Sequence, residues 1–248
     1  LKCGIIGLTN TGKTALFNCI SNTKAESSRF AFSTSKSNIG IVEVPDKRLQ
    51  EIDNLIHSAR IVPVSIEVVD IPGLAKGASQ GEGIGNAFLS DIRNCDALIH
   101  VLRCFDDETL PHIEGSIDPV RDKELVDFEL QVKDLETIDK KVVRLEKMVK
   151  TGDKDAKKGL EVLVKIKQHL EEMQPVRTLG LSEEDKKYIK DLSLLSEKPV
   201  IYVCNVDDTS AVSGNAYSAK FAEATKSENT EVLVVAAALE AEIAELET

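Results

Sequence analysis

Gly7-Leu8-Thr9-Asn10-Thr11-Gly12-Lys13-Thr14 is a complete G-x-x-x-x-G-K-[ST] phosphate-binding loop. The apolar run Leu1-Lys2-Cys3-Gly4-Ile5-Ile6 leads into it, and Ala15-Leu16-Phe17-Asn18-Cys19-Ile20 follows with apolar residues at helical spacing. Strand, glycine loop and helix come in the order the motif needs. Gly7 and Gly12 allow close backbone approaches that a side chain would block. The stretch from Asn10 through Thr11, Gly12, Lys13 and Thr14 to Ala15 can then wrap phosphates at the positive end of the helix. Lys13 supplies a point charge to the β- and γ-phosphates, and the Thr14 hydroxyl can ligate Mg²⁺. A glycine turn that merely precedes a lysine would leave the flanking strand and helix as coincidence. The stretch reads as a nucleoside-triphosphate site.

Working outward, runs rich in β-branched residues recur at 38–44, 64–71, 97–103, 199–204 and 231–236, mostly with helical patterns between them. Strands alternating with helices predict an α/β sheet covered on both faces, with ligands at the carboxyl ends of the strands. One segment breaks the alternation. Phe128, Val132, Leu135, Ile138, Val142, Leu145 and Val149 form a coiled-coil seam, which Thr151-Gly152-Asp153 interrupts. A second stripe follows at Leu160, Leu163, Ile166, Leu170 and Met173, and another helix is expected near Ser182–Ser196. Two seams joined by a short polar turn predict an antiparallel helical hairpin. The expected organisation is a nucleotide domain of residues 1–105 plus 198–248, interrupted by a helical, coiled-coil insertion of residues 106–197.

The 248-residue chain, 42% hydrophobic, is long enough to bury a full core. No apolar stretch approaches the roughly 20 residues that span a bilayer, and no signal peptide is expected before the first strand. Five cysteines are scattered without a C-x-x-C pair, and the four histidines show no metal-ligand spacing. Reduced thiols in a cytoplasmic protein without a membrane partner are expected. A net charge of −11 argues against a chain that coats nucleic acid along its whole surface, and no sequence-specific DNA partner is expected. Between Lys133 and Lys167, however, eleven Lys/Arg against seven Asp/Glu give a local +4. Such a run is usually a solvated helix face, but a basic projection could also dock on RNA.

Asp70-Ile71-Pro72-Gly73 closes the strand Val64–Val69. An acidic residue there can hold Mg²⁺ through water, and the Gly73 N–H can meet a γ-phosphate. After a matched phosphate loop, this otherwise common turn becomes a strong signal. Leu74 to Asn86 then carries glycines at 77, 81, 83 and 85, as a nucleotide-dependent switch would.

Asp70 through Phe88 resembles the Obg superfamily of P-loop GTPases, and the closer match is the YchF, or Obg-like ATPase, family. Phe30-Ala31-Phe32-Ser33-Thr34, Val44-Pro45-Asp46-Lys47-Arg48-Leu49 and His100–Phe105 support it, as do the inserted hairpin and the closing Leu239–Leu246. The resemblance covers essentially the whole chain and implies a P-loop NTPase of the Ras-like G type. It also implies that Thr34 is the mobile-loop threonine completing the Mg²⁺ shell beside Thr14 and Asp70. Leu74 stands where many GTPases carry a water-orienting glutamine, as is known for the family. His112, on the polar loop Asp106–Glu114, matches a family histidine and is the candidate water-positioning group, although an exposed loop histidine explains it equally well. His100, inside an apolar strand, reads as a packed core residue.

Guanine recognition normally uses N-K-x-D. This chain has Asn205-Val206-Asp207-Asp208, with Val206 replacing the lysine, as the resemblance implies, but with Asp208 where the family typically has Glu. The resemblance favours ATP, and the local chemistry leaves GTP open. Ala236-Ala237-Ala238 fills the second base-contacting position, where only the main chain, at Ala237, can donate.

Two functions follow. One is a hydrolase cleaving ATP or GTP with Mg²⁺, in which Lys13 and the loop amides stabilise charge and Gly73 senses the γ-phosphate. The other is a switch whose output is docking, with the ribosome or ribosomal RNA as the partner the resemblance implies. A nucleotide kinase ranks behind, because Arg103, Arg121 and Arg177 are isolated. Relatives carry a further carboxyl-terminal domain of the TGS type, and the present sequence is expected to stop short of it.

Overall fold

The computed structural model describes residues 1–21, 37–73, 84–228 and 230–246. Their centre is a six-stranded sheet of β1 (Lys2–Ile6), β2 (Asn38–Glu43), β3 (Ser65–Asp70), β4 (Ala97–Arg103), β5 (Val200–Asn205) and β6 (Val232–Val235). The order is β2-β3-β1-β4-β5-β6. Every neighbouring pair is parallel except β2 and β3, which run antiparallel with Ile39 opposite Val69 and Ile41 opposite Glu67. All six apolar runs of the sequence therefore become strands, and the two edges of the sheet are unlike. The central strands are buried on both faces, which is why they read as continuous apolar runs. Edge strand β2 keeps Ile39 and Ile41 exposed.

Two apolar layers sandwich the sheet. On one face Ile5, Val68, Val101 and Val203 pack against Leu16 and Phe17 of α1 (Lys13–Ser21) and Ala237 of α8 (Ala237–Leu246). On the other, Ile6, Val69 and Leu98 meet Phe88, Leu89 and Ile92 of α3 (Ile84–Arg93). Helix α2 (Lys47–Ile56), between β2 and β3, is capped by Asp46 and buries none of its residues.

The sheet is interrupted between β4 and β5 by α4 (Pro119–Lys150) and α5 (Lys154–Glu171), then by α6 (Glu183–Lys186) and short 3₁₀ turns. Asp118 caps α4 and Pro119 occupies its first turn, where a missing N–H costs nothing. Gly152 at φ +89° turns the chain, and Asp153 accepts the Asp155 and Ala156 amides to start α5. The two helices fold back on each other as the hairpin the sequence predicts, through Ile138 and Leu145 against Ala156, Leu163, Ile166 and Leu170.

The predicted seam differs at its beginning. Phe128 is exposed, whereas Val126 and Leu130 enter the sheet core. The first third of α4 packs on the sheet body rather than on α5, so a different stripe faces inward there. Met173 is likewise exposed, at φ +59° beyond the end of α5. The helix expected near Ser182–Ser196 is only the four-residue α6 and a 3₁₀ turn, Lys190–Leu192. No helix among the described residues is long and apolar enough to cross a membrane. Helix α7 (Ala216–Thr225) completes the fold, packing Phe221 against Tyr202 and Cys204.

Candidate nucleotide site

The phosphate loop runs from the end of β1 into α1, at the carboxyl ends of the parallel strands. Gly7 has φ +146°, and a Cβ there would overlap the Val101 carbonyl oxygen. Gly12 has φ +93°, and a Cβ there would overlap the Asn205 amide nitrogen. Asn10, at φ +60°, is a residue type that tolerates left-handed backbone. These conformations turn the loop around its own amides and require the spacing of the motif.

Lys13 is buried, and its ammonium donates to the Leu8 carbonyl at 2.5 Å. Burial lowers its pKa to about 8, against the opposing pull of Asp70. Asp70, at the carboxyl end of β3, is buried as well and accepts the Thr14 hydroxyl at 2.8 Å. Burial raises the Asp70 pKa, opposed by Thr14, Lys13 and a hydrogen bond with Asn38, a contact that sequence reading missed. Gly73 crosses the loop so closely that a Cβ would lie 3.1 Å from the Thr9 nitrogen. Lys13, Thr14, Asp70 and Gly73 thus converge on one loop. Thr11 turns inward and donates its hydroxyl to the Leu8 carbonyl at 3.2 Å, while Ala15 is half-buried under the loop. Thr34, Leu74 and most of the glycine-rich stretch lie outside the described residues.

The base-side residues divide differently from the sequence expectation. Asn205 is buried and bonded at both ends of its amide: its Nδ2 donates to the Thr11 carbonyl at 2.9 Å, and its Oδ1 accepts the Ala237 N–H at 2.9 Å. It braces the phosphate loop to the start of α8 rather than offering its amide outward. The Ala237 N–H, expected to face a base, is therefore already bonded. Val206 is buried beside Leu102, Cys204 and Phe221. Asp207 caps the turn Asp208–Ser210. Asp208 is exposed, and its carboxylate makes no hydrogen bond among the described residues.

His112 also departs from expectation. Its side chain is only 4% exposed, with Nε2 2.8 Å from Asp122 Oδ2 at the start of α4. Nδ1 accepts the Glu114 N–H at 3.1 Å, so Nε2 carries the proton and donates to Asp122. The ring has no free nitrogen with which to orient water. Its neighbour Pro111 nevertheless touches the phosphate loop, accepting from Asn10 Nδ2 at 3.2 Å. His100 is packed beside Tyr202, and burial pushes its pKa down to about 3, as a core residue requires. Arg103, set aside as isolated, is 1% exposed and bonded to three loop carbonyls. A charge closing the apolar run Ala97–Leu102 was the available signal, because a buried guanidinium needs internal acceptors.

A glycine loop opening a helix at the carboxyl edge of a largely parallel sheet, with a buried lysine and a Thr–Asp pair beside it, defines a P-loop nucleoside-triphosphate protein. A family model described as "50S ribosome-binding GTPase" matches residues 2–151. The ribosome-binding ATPase YchF of Bacillus subtilis (strain 168) is 47% identical over all of this chain, which covers 68% of that protein. Its namesake in Escherichia coli O157:H7 is 42% identical over 99% of the chain and 68% of its own length. Among solved structures, the Schizosaccharomyces pombe YchF GTPase superposes with a TM-score of 0.81 at 32% identity, covering 99% of this chain and 68% of that one. The chain belongs to the YchF family of P-loop NTPases.

Proposed function

We propose that this chain is a Mg²⁺-dependent nucleoside-triphosphate hydrolase acting as a ribosome-associated switch, with ATP favoured over GTP. The observation that carries this is the convergence of buried Lys13 and the Thr14–Asp70 pair on a loop shaped by Gly7 and Gly12. Here residues 1–105 with 198–248 form the nucleotide domain and residues 106–197 the inserted helical domain.

The Lys13 ammonium would exchange the Leu8 carbonyl for β- and γ-phosphate oxygens, and the loop amides would hold the rest of the phosphate charge. Thr14 and Asp70 are hard oxygen donors already in contact, which fits Mg²⁺, and Thr34 would complete the set. Bound there, Mg²⁺ would neutralise charge developing on the transferring phosphoryl group. Gly73, pressed against Thr9, would read the γ-phosphate through its N–H. His112 would serve hydrolysis only after releasing Asp122, which predicts slow turnover until a partner rearranges its loop.

For the base, buried Val206 leaves no lysine to pack on a purine, which supports ATP. The relatives' names divide, ATPase for the bacterial proteins and GTPase for the yeast one. Exposed Asp208 supports GTP as the second reading, because a free carboxylate can accept two guanine N–H groups. Side-by-side titration of ATP and GTP, with phosphate release measured with and without ribosomes, tests the reading. Tighter ATP binding and ribosome-stimulated release are expected; tighter GTP binding overturns the base assignment, and release indifferent to ribosomes overturns the switch.

The docking surface proposed is the outer face of the hairpin. Lys141 is not available to it, since its ammonium bonds Asp191 at 2.5 Å and the Tyr188 carbonyl at 2.6 Å. Lys140 and Lys147 are exposed there, and Arg144 keeps 65% of its side chain exposed despite a 3.9 Å contact with Asp191.

A further inference from the structure

Arg103 lies at the end of β4, 1% exposed, with its guanidinium enclosed by a loop of its own chain. Nε donates to the Phe105 carbonyl at 3.1 Å, Nη2 to Asp107 at 3.1 Å and Nη1 to Leu110 at 2.8 Å. The Phe105 ring stacks on it, 4.7 Å from centroid to guanidinium carbon. All three nitrogens are used, on acceptors spread over six residues, so the planar fork dictates the path of the loop. A lysine cannot reproduce this, because its donors diverge from one point and do not stack.

What the clamped loop delivers is a pair of contacts facing opposite ways. At Pro111 its carbonyl receives Asn10 Nδ2 of the phosphate loop, the residue held at φ +60°. At the next residue, His112 Nε2 grips Asp122 in the first turn of α4. Asp122 is itself 1% exposed and is tied through its other oxygen to Arg121 at 2.8 and 3.1 Å. Adjacent residues thus bridge the phosphate loop to the root of the helical hairpin, through an exposed 3.2 Å bond on the loop side and a part-buried 2.8 Å bond on the helix side.

We propose that Arg103 is a positioning residue that makes segment 105–112 a strut, so that occupancy of the phosphate loop is transmitted to the first turns of α4. The proposal rests on the reading of the loop as a nucleoside-triphosphate site. Phosphates drawn onto the loop amides act directly on Asn10, and through Pro111 and His112 that displacement loads Asp122. The coupling is reciprocal: whatever holds the hairpin changes nucleotide affinity by the same factor.

Hydrogen exchange of residues 119–127 tests it on the full chain, with Mg-ATP or Mg-GTP added and binding followed by a fluorescent analogue. The parent should slow exchange there by about fivefold on nucleotide binding. Arg103→Lys should bind nucleotide and melt cooperatively, yet lose that slowing. Asp122→Asn, which leaves the clamp untouched, should lose it too. A nucleotide-free arm separates failure of the strut from failure of the site. Asn10→Gly, which keeps the left-handed backbone but removes the side chain, should speed exchange at 119–127 in the parent and add nothing to Arg103→Lys. Additive effects in that arm, or a nucleotide response that survives Arg103→Lys, overturn the strut. Absence of nucleotide binding by the parent overturns the site reading alone.

Discussion

The phosphate loop and the root of the hairpin both bury charge, but they hold it in opposite ways. At the root, Asp127 accepts Arg177 at 2.7 and 2.9 Å and is approached by Lys123 at 3.3 Å. Lys123 also pairs with Glu228, and Tyr202 bridges Arg177 to the same glutamate. Asp134 takes the Leu195 and Ser196 amides and the Ser196 hydroxyl, at 2.6 to 2.8 Å. Opposite charges, or several donors on one carboxylate, meet there, although Arg177 Nε and Nη1 find no partner among the described residues, and the result is structural. Beside the phosphate loop, Lys13 rests on one carbonyl and Asp70 on the Thr14 hydroxyl and on Asn38, all of them uncharged. A charge held by one or two neutral partners is available to a ligand, whereas one held by an opposite charge or by several converging donors is not. The contrast separates a site from a joint better than burial does, since both are equally buried.

Removing Lys13 should break this contrast most visibly. Lys13→Ala is expected to lower phosphate release by ~100-fold or more while leaving the melting transition in place, measured by a phosphate-release assay. Nucleotide affinity of the parent should hold below about pH 8 and fall above it, as the ammonium loses the proton that burial has loosened. Titration of affinity against pH checks this, and a flat profile to pH 10 would show that another group carries the phosphate.

At the joint the reverse pattern is expected. Asp127→Ala strands a buried guanidinium and should cost about 3–5 kcal/mol in denaturant unfolding, with nucleotide affinity of the folded fraction little changed. Reversing Lys140, Arg144 and Lys147 to Glu should weaken salt-sensitive ribosome binding by about tenfold without touching either buried set. A pull-down across a salt series reads the loss; unchanged binding would move docking off the hairpin. A pH-dependent effect is expected at Asp134, which burial pushes up to about 6 from 3.8. Because the folded state keeps this proton longer than the unfolded chain does, its stability contribution is complete below about 3.8 and is lost as pH rises through about 6. Asp134→Asn should flatten that part of the stability–pH curve, and a slope unchanged in the variant would assign it to other groups.

Much of this is legible in the sequence alone. The six apolar runs, the phosphate loop, Asp70-Ile71-Pro72-Gly73 and the hairpin with its Gly152 turn depend on neighbours in sequence, where periodicity and turn chemistry act. What the sequence does not carry is long-range. Asn205 matches a base-recognition motif, and the fold adds that its amide bonds Thr11 and Ala237, far away along the chain. His112 looked like a free loop imidazole until α4 brought Asp122 to it. Phe128 kept the seam spacing, but a helix that changes partners along its length changes its buried stripe as well.

By itself the sequence determined that this chain grips phosphates, because a glycine loop between strand and helix is a local construction whose eight residues carry both the backbone conformation and the charge. Only the tertiary structure decided which polar groups are left to act. Hydrogen-bonding capacity is finite, and a buried side chain that spends it within the protein becomes a brace. Asn205, His112 and Arg103 are spent in this way, whereas Lys13, Thr14, Asp70 and Asp208 hold only partners that a ligand can replace, or none among the described residues.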